Sequence, residues 1–445
     1  MKVSYYNVMF PYDDSYILFN TLRGAVFVVD SETREVLMEG KLSALGEELT
    51  DLFTTHGIIV KNEVNECDEY RLMYEKSKYA TNSTTLHIIT TYSCNLACTY
   101  CYEGKGEIEQ KSMDTKEAER AIHFVENLTE SNNSSSLGIE LFGGEPFLNM
   151  PINTMVAREL EKWCEETSRN FSINAVTNGT LSTQETVEEL AQYKCSFLVT
   201  VDGTKEIHDQ RRRYKDGRGT FDDIMDGLWR VRDSGLHIMV RINVDEYNKE
   251  YIVPLFDFLK EGGLEDTLIS IKPVFNSSPA CLSYGYCLPD TEELRTINDL
   301  CHCARERAFK TEEPEKVLPQ GPCSAQRSSY FTIDPYLRLF KCAILPPYEE
   351  NSAGLVDLES SRPLLNSVHT DFMLRNPMEI EPCKTCEYVP ICRGGCPVEI
   401  YQTQGTARGY ICRKPEFQEV IQQKLLNIVK KHSSCDHALA NGERR

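Results

Sequence analysis

The chain has 445 residues, a net charge of −20 and 18 cysteines, a length that suits two or three domains. Its 41% apolar and 26% charged residues are ordinary for a soluble globular protein. So acidic a chain is poorly suited to general nucleic-acid or anionic-membrane binding, because both surfaces attract basic proteins.

The N-terminal run MKVSYYNVMFPYDDSY lacks the uninterrupted apolar core of a signal peptide. No apolar stretch reaches bilayer length, and a cytoplasmic location is expected. In that reducing compartment the cysteines are read as metal ligands rather than disulfides. Residues 1–80 are expected to form a small α+β domain. The runs 16–20 and 25–29 read as strands around a turn at Arg23-Gly24, 43–53 as a helix, 57–60 as a strand and 66–79 as a charged helix.

From residue 85 the pattern changes to alternating strands and helices. Strand-like runs fall at 86–91, 137–142, 171–177, 196–201, 237–244 and 267–274. Amphipathic helices are expected after Asp114, whose spacing to Glu117 forms a capping box, and near 152–167, 183–193, 220–234 and 248–261. Six such units predict an α/β fold: a partial (β/α)6 TIM-like barrel over 85–280, with ligands at the carboxyl ends of its strands. Residues 281–412 are rich in Cys, Pro and Gly and need staples. Residues 413–445 read as a final helix, Glu416 to Lys431, and a polar tail.

The run CNLACTYCY contains Cys94, Cys98 and Cys101 directly after the first barrel strand. Three thiolates so close can hold three irons of a four-iron cluster and leave the fourth open. A zinc knuckle is the alternative reading. Gly143-Gly144-Glu145-Pro146 follows the second strand: its glycines allow close backbone approach, and Glu145 can accept from an ammonium. Thr177 and Asn178 end the third strand, and Thr200 and Asp202 the fourth, so both can offer polar groups to a ligand or act as strand-end caps. Arg211-Arg212-Arg213 reads either as a solvated loop or as an anion site.

CxxxCxxC with Tyr100 before its third cysteine resembles the signature of the radical S-adenosylmethionine (SAM) enzymes. The resemblance implies a [4Fe-4S] cluster on Cys94, Cys98 and Cys101 whose open iron binds SAM, reductive cleavage to a 5'-deoxyadenosyl radical, and hydrogen abstraction from substrate. It implies SAM contacts for Tyr100, Gly143, Gly144, Glu145, Thr177, Asn178, Thr200, Asp202 and Arg212. Arg212 ends the HDxxR-like run His208 to Arg212 and is the candidate for the SAM carboxylate.

Downstream, Cys383-x2-Cys386-x5-Cys392-x3-Cys396, followed by Cys412 and preceded by Cys323 and Cys342, resembles the Cys-rich C-terminal SPASM extension of peptide-modifying members. That implies two auxiliary [4Fe-4S] clusters, one on Cys383, Cys386, Cys392 and Cys412, the other on Cys323, Cys342 and Cys396. The second set lacks a fourth thiol. Cys281, Cys287, Cys301 or Cys303 could complete it, or the position stays open for a substrate thiolate. Leu337 stands where the family has a glycine, and Cys67, Cys164, Cys195 and Cys435 read as structural thiols.

The function implied is a maturase of a ribosomally synthesised precursor peptide, served by a flavodoxin or ferredoxin, with no nucleic-acid or membrane partner. Residues 1–80 are the candidate leader-recognition element, and a thioether between a Cys sulfur and a carbon is the leading product. Carbon–carbon cross-linking is one alternative. Formylglycine formation is the other, but there the family carries an Asp after the cysteine matching Cys342, and this chain has Ala343.

Overall fold

The computed structural model describes residues 1–101, 109–274, 284–289, 291–314 and 316–440, with 432–440 described by backbone alone. Cys281 and the side chain of Cys435 lie outside the described residues. The N-terminal segment forms strands β1 (Lys2–Val3), β2 (Asn7–Tyr12), β3 (Ser15–Asn20), β4 (Val26–Val29) and β5 (Ile59–Val60), with helices α1 (Ser31–Glu39), α2 (Glu47–Thr55) and α3 (Glu66–Lys78). β2, β3 and β4 make an antiparallel sheet, and β1 pairs with β5. Alternation along β3 sends Leu18 to one face, among Val29, Leu37, Phe53 and Ile58. Ile17 and Phe19 go to the other, against Tyr388, Ile391, Ile421 and Leu425. With both faces buried, the segment is packed onto the C-terminal region. α3 strengthens the contact: Tyr70 donates to the Val389 carbonyl (3.2 Å), Tyr74 to Gln326 (2.8 Å) and Lys78 to the Met373 carbonyl (2.9 Å).

Next come parallel strands β6 (Ser83–Thr91), β7 (Ser136–Gly143), β8 (Asn170–Thr177), β9 (Ser196–Thr200), β10 (Ile238–Val244) and β11 (Leu268–Pro273). Helices α4 (Thr115–Ser131), α5 (Met150–Glu166), α6 (Gln184–Ala191), α7 (Lys205–Arg211), α8 (Phe221–Asp233) and α9 (Ile252–Glu261) lie between them. All six expected strands and five expected helices are present, and the Asp114–Glu117 capping box is closed from both sides. α7 is additional. Short strand β12 (Lys310–Thr311) extends the sheet beyond β11. At the other edge β13 (Tyr330–Ile333) pairs parallel to β6, and β14 (Arg338–Phe340), β15 (Gly354–Val356) and β16 (Pro363–Leu365) follow antiparallel. One continuous sheet of eleven strands among the described residues therefore joins the barrel to the Cys-rich region.

The barrel core is a single apolar cluster between the sheet and its helices, including Ile88, Leu141, Phe197, Ile242 and Ile269. The 14-residue helix Glu293–Glu306, in a stretch with no expected element, packs on β11 and on the final helix Lys414–Ala440. Among the described residues no helix is long and apolar enough to cross a membrane.

Candidate active site

The loop after β6 carries Cys94, Cys98 and Cys101 and is held from two sides. Ala97 and Thr99 donate backbone N–H groups to the carbonyls of Arg213 (2.8 Å), past α7, and of Arg211 (2.9 Å), its last residue. Asn178, past the end of β8, donates to Asn95 (2.8 Å) and approaches the Cys94 sulfur (3.8 Å), while Asn95 donates to Thr180 (2.8 Å). The loop faces a cavity of about 400 Å³ at the carboxyl ends of the strands. All three thiols line it, together with Tyr100, Gly143, Gly144, Thr177, Asn178, Thr200 and Arg212. Two expected contacts, Glu145 and Asp202, do not line it; both are fully buried behind its wall.

Their environments show why. Glu145 accepts from the Thr177 hydroxyl (2.7 Å) and from the backbone N–H groups of Asn178 (2.7 Å) and Phe147 (3.1 Å). It clamps the end of β7 to the end of β8. Burial pushes its carboxyl up to about 7 against those bonds. Asp202 accepts from the Tyr100 hydroxyl and from the Asn243 N–H (2.9 Å), with the Arg211 Nε at 3.7 Å. Tyr100 also accepts from Arg212 (2.7 Å) and from the Asn243 amide (3.1 Å), and Arg211 lies over its ring at 4.7 Å from the centroid. Arg211 further pairs with Asp245 (2.5 Å) and donates to Tyr284 (2.8 Å). This buried network fixes Tyr100, and through it the third cysteine. Of its members, Arg211 belongs to the arginine run at 211–213, whereas Asn243, within β10, and Asp245, just past it, carry no motif.

The two glycines act on the protein before any ligand. A Cβ on Gly143 would lie 2.3 Å from the Thr91 carbonyl oxygen, and one on Gly144 2.4 Å from that of Ser93. They are required so that the cysteine loop can lie on the end of β7. His208 is a buried structural group: its Nδ1 accepts from the Asp202 N–H (3.2 Å) and its Nε2 meets the Thr220 hydroxyl (3.1 Å). That hydroxyl is donated to the Arg212 carbonyl (2.6 Å), which assigns the proton to Nε2. Burial, and then Arg212, lower the imidazole to about 3.

The downstream thiols gather in two sets. Burial pushes Cys383 up to about 11, with Cys392, Cys386 and Cys412 adding to the effect as neighbours. Burial also raises Cys342, aided by Cys323 and Cys396. The second set lies beside the cavity, since Ile344, two residues past Cys342, is part of its wall. Cys301 and Cys303 lie elsewhere, on helix Glu293–Glu306, with Arg305 and Glu306 as their nearest charged influences. Cys287 packs with Tyr100, Val274 and Tyr284. The turn after Cys392 is glycine-dependent: Arg393, Gly394 and Gly395 all have positive φ, and a Cβ on Gly394 would lie 3.1 Å from the Cys383 sulfur.

Among the described residues no three of these side chains close to the geometry of a bound metal ion. The donor sets nevertheless fit thiolate-bound iron. Burial opposes the ionised form of Cys98, Cys342, Cys383 and Cys396, so a cation must compensate if they become thiolates. A second observation is Lys341, fully buried, which donates to the carbonyls of Arg327 (2.8 Å) and Tyr330 (2.7 Å) without a carboxylate partner. Burial lowers it to about 7, and the one acidic group acting against that is Cys323. A buried ammonium facing this set suits an anionic metal–thiolate group there.

Residues 88–259 match the model of the Radical SAM superfamily. The chain carries a radical SAM domain. As a radical SAM enzyme it is similar along most of its length to the radical SAM cyclopropyl synthase TigE of Paramaledivibacter caminithermalis, with 25% identity over 443 aligned residues covering 88% of each chain. Among solved structures it shares the fold of anSMEcpe with bound AdoMet (TM-score 0.61, 17% identity, 78% of this chain and 99% of that one). It also shares the fold of Streptococcus suis SuiB bound to precursor peptide SuiA (TM-score 0.54, 15% identity, 93% and 99%).

Proposed function

We propose that this enzyme modifies a ribosomally synthesised peptide, with a thioether between a Cys sulfur and a carbon as the leading product. The observation that carries the reading is the shared cavity: one wall holds Cys94, Cys98 and Cys101, and another is Ile344, beside Cys342. Such a space suits a peptide segment presented to both thiol sets. A cluster on the first set, with SAM, supplies hydrogen-abstracting chemistry when bound. Arg212, Thr200 and Asn178 are the side chains on the wall for orienting SAM. Cys383, Cys386, Cys392 and Cys412 would hold one auxiliary cluster, and Cys323, Cys342 and Cys396 the other. With Cys301 and Cys303 on helix Glu293–Glu306, either Cys281 or Cys287 completes the latter set or its fourth position takes a sulfur of the peptide.

Residues 1–80 supply the leader site in this reading. An open groove of about 1070 Å³ runs between the turn Arg23–Ala25, residues 54–61 and α3. The sheet β2–β3–β4 also offers edges to which an extended peptide can add. SuiB, which shares the fold and is bound to a precursor peptide, supports a peptide partner. A flavodoxin or ferredoxin in the cytoplasm would supply electrons.

The likeness to a cyclopropyl synthase favours a second reading, carbon–carbon bond formation within the peptide. Mass spectrometry of a candidate precursor peptide, after anaerobic incubation with reduced holoenzyme and SAM, tests both. Either bond removes two hydrogens from the peptide. Loss of one alkylatable thiol identifies the thioether, and full retention of thiols identifies the carbon–carbon product. An unchanged peptide mass, with SAM still cleaved, removes the peptide reading.

A further inference from the structure

Two arginines line the cavity, and their engagement differs. Arg212 is tied to the cysteine loop: it donates to Tyr100, and Cys98 and Tyr100 are the foremost groups favouring its charge. Arg241, on β10 in register with Thr200 of β9, also lines the cavity, but no cysteine figures among its charged neighbours. Its Nε donates to the Ser270 hydroxyl (3.0 Å). Among the described residues no other hydrogen bond or carboxylate contact reaches its guanidinium.

The acidic groups around it are engaged elsewhere. Glu312 receives the Ser270 hydroxyl and pairs with Lys272 (3.2 Å). Asp202 is taken by Tyr100 and the Asn243 N–H. Glu140 lies 3.5 Å from the His87 Nδ1 without touching Arg241. A guanidinium is planar, carries paired donors and stays ionised, which suits a carboxylate bound through two hydrogen bonds. Arg241 is half-buried on the cavity wall, where a carboxylate would meet less competition from water than on an open surface.

We propose that Arg241 is a specificity-determining residue that receives a carboxylate of the peptide segment entering the cavity, from an acidic side chain or from the chain terminus. The proposal rests on the peptide reading above and names the chemistry of its substrate. Lys272, on the cavity wall beside it, adds a second positive charge whose pairing with Glu312 leaves Arg241 as the available fork.

The test uses reconstituted, SAM-loaded full-length protein and three blocked pentapeptides: acetyl-Gly-Gly-Glu-Gly-Gly-amide, its Gln counterpart, and the Gln peptide with a free C-terminal carboxylate. Affinities come from NMR titration, and SAM affinity is measured separately by calorimetry. The wild type should bind one carboxylate peptide about tenfold more tightly than the neutral one, as a charge-assisted contact implies. Preference for the Glu peptide assigns an acidic side chain, and preference for the free acid assigns a terminus. R241Q should lose the preference with SAM affinity unchanged, and R241K should keep part of it. Equal binding of all three peptides by the wild type, or binding of none, overturns the proposal whether or not the variants fold. So does a tenfold loss of SAM affinity in R241Q, which would make Arg241 a SAM ligand. If the wild type holds no iron and cleaves no SAM, the failure lies with the parent reading, and the iron and 5'-deoxyadenosine assays report that separately.

Discussion

The barrel and the Cys-rich region hold their thiols by different means. The cysteine loop at 94–101 rests on a barrel with a large apolar core and is pinned by buried hydrogen bonds and ion pairs to β8, β9, β10 and α7. Cys383 and Cys392 sit on four-residue helices, Cys386 lies between those helices, and Cys396 follows a turn of three successive left-handed residues. The polar network positions a loop that would fold without a ligand. The second arrangement is a series of short local turns without a long regular element under the thiols, and on the proposed reading the group that the thiols bind ties those turns together.

Metal removal should therefore have its largest effect on the second region. Structural thiolate sites contribute on the order of 10 kcal/mol of binding free energy to folding. In chelator-treated protein, hydrogen exchange over residues 381–412 should become fast while β6 to β11 keep their protection. Equal loss in both regions would erase the comparison.

Arg211→Met gives the next largest effect, on the barrel side. Removing one partner of a buried ion pair costs about 3 to 5 kcal/mol, read as a lower denaturant midpoint. Arg213→Ala, which removes a single bond to the Gln210 carbonyl, should change stability by less than about 0.5 kcal/mol. If the two variants behave alike, the network does not position the loop.

Acid sharpens the same contrast. His208 is lowered to about 3 when folded and titrates near 6.5 when unfolded. Below 6.5 the unfolded chain binds the extra proton, so stability falls as pH drops from about 6.5 towards 3 and is fully present above 6.5. Between pH 7 and pH 5 His208 alone should cost about 2 kcal/mol, read as the difference between wild type and His208→Gln in urea titrations at each pH. Glu145, raised to about 7 when folded, contributes a gain of similar size over that window in both proteins, so the difference and not the wild-type slope carries the prediction.

The smallest effect concerns Leu337, which has φ of 59° where the resembled family carries glycine. Its side chain is buried in the barrel core, and this offsets the left-handed backbone. Leu337→Gly relieves about 1 kcal/mol of backbone cost and forfeits about 2 to 3 kcal/mol of burial. A net loss of about 1 to 2 kcal/mol is expected, and a gain would mean the side chain contributes little.

Much of this was legible beforehand because motif and strand rhythm coincide. CxxxCxxC, GGEP and the strand-end Thr177 and Thr200 each follow a strand whose apolar run is unmistakable, so their convergence followed from topology. Glu145 and Asp202 were legible as residues, but their ties within the protein were not: spacing cannot tell which backbone groups a strand-end carboxylate accepts from. Arg241 and Asn243 lie within a strand and belong to no motif, so their neighbours on β9 and β11 had to be seen. Helix Glu293–Glu306 was missed although Leu294, Ile297, Leu300, Cys301 and Ala304 have helical spacing, because polar residues and cysteines interrupt the apolar signal.

The most direct test is the iron, sulfide and zinc content of anaerobically reconstituted protein, measured together with SAM cleavage in wild type and in the variant with Cys94, Cys98 and Cys101 all changed to Ala. Three four-iron clusters predict roughly twelve irons and as many sulfides in the wild type. The variant should lose about a third of both, form no 5'-deoxyadenosine, and keep the two downstream thiol sets loaded. Stoichiometric zinc without sulfide, or undiminished SAM cleavage by the variant, would contradict the account.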